Sequence, residues 1–284
     1  MTATGGAATG SGSNRLRLFL QNISLSLATL MRKPRSPDGR KPAWRTLVHI
    51  AGGAFIAIVA IVAAMAFLDG RLTSAARGLP LWLVAAFDEF TDFGKSGWFL
   101  IPAGILMIVI AAAGLRDLPH FTRLVLAAIT VRLGFVFLAI GIPGLFVTIL
   151  KRLIGRARPF VADDGGTLVF APFVWRSEYA SIPSGHGTNA FAAAIAIGAL
   201  FPKLRPLMWL YALLIAASRV VITAHYPSDV IASAAFGIVG AILVRDWFAM
   251  RRLGFVVDAQ GNVNTLPGPS WSRVKMVARR LFSA

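Results

Sequence analysis

Six stretches of this chain, about 46–68, 97–115, 122–150, 184–202, 206–224 and 228–248, are apolar over lengths close to the roughly 20 helical residues that cross a hydrocarbon layer about 30 Å thick. A segment that spans lipid has to satisfy its own backbone N–H and C=O groups, so runs of this length and continuity predict helices. The expected fold class is therefore all-α: a polytopic membrane protein with six transmembrane helices in a bundle. Composition agrees, since 56% of the 284 residues are hydrophobic and only 14% are charged, more apolar mass than a single soluble core requires. The fourth and fifth runs are separated only by the turn from Pro202 to Arg205. Residues 72–93 are semi-apolar but interrupted by Pro80 and three acids, which predicts a re-entrant or interfacial segment.

Two tails flank this domain, giving the division 1–45, 46–248 and 249–284. Residues 1–14 are rich in Gly, Ala, Thr and Ser without the basic start and apolar centre of a cleavable signal, and read as a disordered tail. From Arg15 to Leu30, Leu16, Phe19, Leu20, Ile23, Leu27 and Leu30 recur at helical spacing. That stripe fits an interfacial helix, or equally a helix packed on the protein's own cytoplasmic face. Residues 31–45 carry six basic residues and three Pro, as a flexible juxtamembrane linker would. Small residues such as Gly52, Gly53 and Ala57 suit helix contacts within or between molecules.

The formal charge of +17 would suggest nucleic acid in a soluble protein, but here the basic residues flank apolar runs, where they face anionic headgroups. Membrane lipids, and no nucleic acid, are the expected partners. With the N-terminus cytoplasmic, 19 of the 29 Lys and Arg fall on the cytoplasmic side and nine on the other, Arg219 in the outer half of the fifth span included. Six spans return both termini to the cytoplasm, and 69–96, 151–183 and 225–227 share the outer face. Lys151, Arg152, Arg156 and Arg158 crowd into eight outer residues, against the topology rule, which implies another reason for them. The absence of Cys excludes disulfides, thiolate metal sites and cysteine nucleophiles, and four His leave little material for a histidine metal centre.

Three short constellations sit at the outer ends of spans. In KRLIGRARP (151–159), Lys151 and Arg158 are seven residues apart, about two helical turns, so that both cations would project to one side and converge on a polyanion. A basic cluster that only anchors to headgroups is the plainer alternative. In SIPSGHG (181–187), Pro183 fits a first helical turn, Ser184 offers a hydroxyl, and Gly185 lets backbone N–H groups approach an anion at the positive helix end. His186 stands beside that position; the alternative is a simple cap. In SRVVITAHYPSD (218–229), Arg219 lies in an apolar span, where an unpaired charge is costly. Asp229 can orient His225 and leave one ring nitrogen free to attack or take a proton. An Arg219–Asp229 ion pair locking two helices is the structural alternative.

Taken together, Lys151, Arg158, Pro159, Pro183, Ser184, Gly185, His186, Ser218, Arg219, His225 and Asp229 match, in order, the three-part signature of the type 2 phosphatidic acid phosphatase superfamily. The chain resembles its integral-membrane branch. The resemblance covers 151–229 and implies that His225, oriented by Asp229, is a nucleophile that forms a phosphohistidine. It further implies that His186 is the general acid, and that Lys151, Arg158, Arg219, the Ser184 hydroxyl and the Gly185 N–H bind the phosphate. No metal and no cofactor are expected, because three protein cations take the place that magnesium holds at many phosphoryl-transfer sites and no Asp/Glu cluster adjoins the motifs.

The implied activity is hydrolysis of a lipid phosphate or diphosphate, with release of phosphate on the periplasmic side of a bacterial inner membrane. Undecaprenyl diphosphate, phosphatidylglycerol phosphate, phosphatidic acid and a lipid A phosphate all fit; Asp92 and Lys95 on the outer face could influence that choice, and the equal alternative is that Lys95 and Trp98 only anchor the second span. A lipid phosphotransferase would use the same phosphohistidine and differ in its acceptor. A haloperoxidase shares the oxyanion cage but not the six apolar runs, and a non-catalytic polyanion-binding protein would not need His225, Asp229 and His186 together.

Overall fold

The computed structural model describes residues 9–34, 47–112, 118–161 and 166–282. The start of the N-terminal tail, most of the 31–45 linker and the last residues of the second apolar run lie outside them. Ten α-helices are described: α1 (Thr9–Met31), α2 (Leu47–Phe67), α3 (Asp69–Arg77), α4 (Leu81–Thr91), α5 (Gly97–Ala112), α6 (His120–Ile154), α7 (Gly185–Leu200), α8 (Arg205–Val221), α9 (Pro227–Met250) and α10 (Trp271–Phe282). Strands β1 (Phe255–Val257) and β2 (Val263–Thr265) form an antiparallel hairpin.

By length and composition, five stretches among the described residues can cross a membrane: Val48–Phe67, Leu81–Ala112, His120–Ile154, Pro202–Val221 and Pro227–Met250. The fourth run read from the sequence corresponds to α7, which is apolar but only 16 residues long. Residues 72–93 form two short helices, α3 and α4, separated at Gly78–Pro80, followed by a 3-10 turn at Asp92–Gly94. Pro80 directly precedes α4, where its missing N–H costs no helical hydrogen bond.

The chain divides into two compact units, one of residues 42–101 and 135–246 and the other of 1–41, 102–134 and 247–284. In the first, α7 is the central element. Its buried face is almost entirely Ala, Gly and Thr, and Ala190, Phe191 and Ala194 pack with Ala212, Ile215 and Ala216 of α8. Small residues let the helices approach: a Cβ added at Gly237 of α9 would lie 2.5 Å from the Thr188 carbonyl oxygen of α7. By contrast α2 leaves Phe55, Ile56 and Val62 exposed, as a lipid-facing helix does.

In the second unit, Val277 of α10 packs with Ile110, Val125 and Leu126. The basic residues of α10 and Trp271 remain exposed. The β1–β2 turn is held by Asp258, which accepts from the N–H groups of Gln260 and Asn262. Asn22 of α1 donates to the Ala111 carbonyl at 2.8 Å, and the Trp247 indole donates to the Leu30 carbonyl at 3.3 Å. Leu16, Leu20 and Leu27 of α1 are exposed.

Candidate active site

All three constellations lie in the unit of residues 42–101 and 135–246, and local backbone chemistry sets how each is presented. Lys151 occupies the last turn of α6. The helix ends at Ile154 because Gly155 takes a left-handed conformation (φ +67°), where an added Cβ would lie 1.9 Å from the Ala171 carbonyl oxygen. Arg158 is thus carried by the following loop and not by the helix on which the seven-residue spacing placed it. The loop is pinned by an Arg156–Phe170 bridge, by Arg158 N–H donating to the Glu178 carbonyl at 2.8 Å, and by Arg77 of α3 donating to the Pro159 carbonyl at 2.8 Å.

Ser184 is the N-cap of α7, so Pro183 precedes the helix instead of standing in its first turn. The Ser184 Oγ accepts from Gly187 N–H at a long 3.4 Å, which leaves the hydroxyl hydrogen available to an acceptor. Capping and anion binding are therefore compatible in this residue. The N–H groups of Gly185 and His186 begin the helix, where intrahelical acceptors are missing, and a Cβ on Gly185 would lie 3.8 Å from Lys151 Nζ. Cation and helix end thus adjoin.

Arg219 sits in the last turn of α8, only 7% exposed, and donates to Thr91 Oγ1 of α4 at 2.9 Å. It is not paired with Asp229. His225 lies in the α8–α9 turn, its N–H donating to the Arg219 carbonyl at 3.1 Å, and Asp229 occupies the first turn of α9. His225 Nδ1 and Asp229 Oδ2 are 3.7 Å apart, close but beyond hydrogen-bond distance. The distance follows from the other demands on the carboxylate: Oδ2 also receives the Ser181 hydroxyl at 2.5 Å and Tyr226 N–H at 2.9 Å, while Oδ1 receives Arg156 at 2.6 Å.

The electrostatics favour a neutral imidazole beside a cation-rich space. Burial pushes the His225 ring down to about 4, with Asp229 opposing and Arg158 and Arg219 adding to the effect. Burial also works against the charge on Arg158, a cost that an anion bound beside it would offset. His186 stands within the fields of Arg219 and His225 and of the exposed Asp92–Lys95 pair, whose charged groups are 2.7 Å apart. A cavity of about 250 Å³ opens beside Gly185, walled on one side by Leu100, Ile140 and Leu145, with Ser96, Thr148 and Asn189 as its polar side chains. Among the described residues no group of three His, Cys, Asp or Glu is arranged to hold a metal ion.

Sequence reasoning missed the support beneath this site. Arg156, read only as part of a basic cluster, is completely buried, as are Asp69, Ser181 and Ser228. Its guanidinium lies 4.2 Å from the Tyr226 ring centroid. The one available signal was an Arg inside a run more basic than the expected topology accounts for; Asp69, some 90 residues upstream, carried none.

Comparison with known proteins accords with this geometry. The family model described as PAP2 superfamily matches residues 132–253, which contain all three constellations. A protein named lipid A 1-phosphatase from Rhizobium johnstonii is 34% identical over 208 residues, 73% of this chain and 84% of the relative. One of the same name from Rhizobium etli is 34% identical over 230 residues, 80% of this chain and 92% of the relative. Among solved structures, Aquifex aeolicus LpxE is similar at 23% identity and a TM-score of 0.45, covering 62% of this chain and 94% of that one. The chain belongs to the PAP2 superfamily, in its integral-membrane lipid phosphatase branch. It is a phosphatase, a hydrolase of phosphate esters.

Proposed function

We propose that this enzyme removes the 1-phosphate of a lipid A molecule through a phosphohistidine on His225. The observation that carries the mechanism is the pairing of a buried, neutral His225 with Asp229 on one side and with Arg158 and Arg219 on the other. In the first half-reaction the Nε2 lone pair of His225 forms the N–P bond as the P–O bond to the lipid breaks, and His186 gives its proton to the departing oxygen. Lys151, Arg158, Arg219, the Ser184 hydroxyl and the Gly185 N–H hold the nonbridging oxygens. In the second, water attacks phosphorus, its proton passes to His186, and phosphate leaves His225 restored. Asp229 keeps the other ring nitrogen oriented and offsets the positive charge that the ring acquires. The protein cations carry the charge stabilisation, so the reaction is metal-independent.

Lipid A is favoured because both curated relatives bear that name over most of their length. The cavity beside Gly185 supports a lipid in general, since its apolar wall lets the substrate's apolar portion stay near hydrocarbon while its phosphate reaches Lys151. In this reading α7 is the sixth membrane helix, a short one surrounded by its neighbours, both termini are cytoplasmic, and the site opens to the periplasm across a bacterial inner membrane. Phosphate release from lipid A, phosphatidylglycerol phosphate, undecaprenyl diphosphate and phosphatidic acid, in detergent with EDTA, tests it. Lipid A should react fastest and lose the phosphate at position 1 by mass spectrometry. Preference for another lipid overturns the substrate assignment, acceptor-dependent products favour a phosphotransferase, and activity lost in EDTA but restored by magnesium overturns the metal-free mechanism.

A further inference from the structure

Beneath His225 lies a chain of charged groups sealed from solvent. Arg156 donates through Nη1 to Asp229 Oδ1 at 2.6 Å and through Nη2 to Asp69 Oδ2 at 2.7 Å, and all three side chains are fully buried. Ser228 joins the two carboxylates to the guanidinium: its hydroxyl donates to Asp69 Oδ2 at 2.6 Å and lies 2.7 Å from Nη1, while its N–H donates to Asp69 Oδ1 at 2.9 Å. Two Asp share one Arg, so the cluster carries one net negative charge. Its exposed consequence is at Asp229, whose other oxygen faces His225.

A fully compensated Asp229 would orient the imidazole but contribute little charge to it. The ring gains positive charge as its nitrogen bonds to phosphorus, and Arg158, Arg219 and, from α7, His186 all stand near it as existing or potential cations. Among the described residues only Asp229 faces the ring with the opposite sign. How much negative charge it presents depends on how strongly Arg156 is drawn elsewhere, and in a buried, low-dielectric cluster that competition is strong.

We propose that Asp69, acting through Arg156, is a positioning residue for the phosphatase reaction: by taking half of the guanidinium it leaves Asp229 charged enough to stabilise His225 as it is phosphorylated. The inference rests on His225 being the nucleophile proposed above. A second carboxylate is thereby added to the His225–Asp229 pair from α3, an element outside the family motifs.

The charge arithmetic makes the test specific. Asp69→Asn leaves one Arg against one Asp, a neutral cluster, so phosphoenzyme formation measured by rapid quench should slow about tenfold, the size of effect typical of groups that orient a reactive one, while KM stays within about twofold. Asp69→Asn/Arg156→Gln removes both partners, restores one net negative charge on Asp229 and keeps an N–H donor at 156. It should recover about threefold of the lost rate, although it removes more contacts. Asp69→Asn keeps Arg156 paired with Asp229 and is the variant expected to fold; the double variant leaves the buried Asp229 without its guanidinium, so its rate is read together with its unfolding midpoint in detergent. In Asp69→Asn the acid limb of kcat/KM should stay at or below that of the wild type, because the cluster becomes less negative. Three results would overturn the proposal: an unchanged rate in Asp69→Asn, a double variant slower than the single, or an acid limb that climbs toward 6.5 in Asp69→Asn, which would mean that the cluster only keeps water from His225. A phosphoenzyme that persists in His225→Ala would instead sink the assignment of the nucleophile.

Discussion

At the level of single residues, His225 and His186 differ in what their loss can do. His225 would form the covalent bond, and no other side chain replaces it, so His225→Ala should show no phosphoenzyme and no turnover on any substrate. Removing a general acid costs about 10²–10⁴-fold, and least where the leaving group needs no proton. His186→Ala should therefore retain relatively more activity on p-nitrophenyl phosphate than on an alkyl phosphomonoester; equal losses on both would refute the role. The His225 environment also predicts a pH profile. Only the neutral ring attacks, and burial lowers its pKa from 6.5 to about 4, so kcat/KM should hold as pH falls through 6 and decline only near 4. The unfolded chain takes up that proton from about 6.5 downward, so stability too should erode between about 6.5 and 4. A limb centred near 6.5 would show that the ring is hydrated in the working enzyme.

Among elements, α7 explains how a cation-rich site is built at a helix end within an apolar unit. Its Ala and Gly face admits α8 and α9 so closely that Ser184, His225 and Asp229 share one neighbourhood; Ser184 N–H even donates to the Asp229 carbonyl at 3.3 Å. Gly237→Ala would press a methyl onto the backbone of α7 and should cost about 1–3 kcal/mol, read as a lower unfolding midpoint in detergent. Gly53→Ala in α2, where nothing in the described structure lies within 4 Å, should change stability by less than about 0.5 kcal/mol. Comparable losses at both positions would contradict the packing described. Helix α3 works differently, reaching the site through Asp69 and Arg77 without carrying any motif residue.

For the whole molecule, the distribution of basic residues predicts sidedness. Cysteines introduced singly at Ser177, in the exposed loop before α7, and at Ser272, on exposed α10, should react with impermeant thiol reagents from opposite sides of the membrane. In spheroplasts the Ser177 variant should label and the Ser272 variant should not until the membrane is opened. Labelling of both from outside would reverse the topology of the C-terminal segment.

The apolar runs of α2, α6, α8 and α9 were legible in the chain itself, because lipid imposes a length and a polarity that local composition reports directly. The candidate set of Lys151, Arg158, the Pro183–His186 segment, Arg219, His225 and Asp229 was legible too, since those groups fall within three short, recognisable spacings. The break at Gly155 was not, and an argument from helical periodicity therefore put Arg158 on the wrong element. Neither was the buried Asp69–Arg156–Asp229 chain, whose members lie up to 160 residues apart and reveal their charge balance only once folding has removed water from around them. Local spacing records which reactive groups the chain carries close together; which of them share a partner is decided by packing between distant segments.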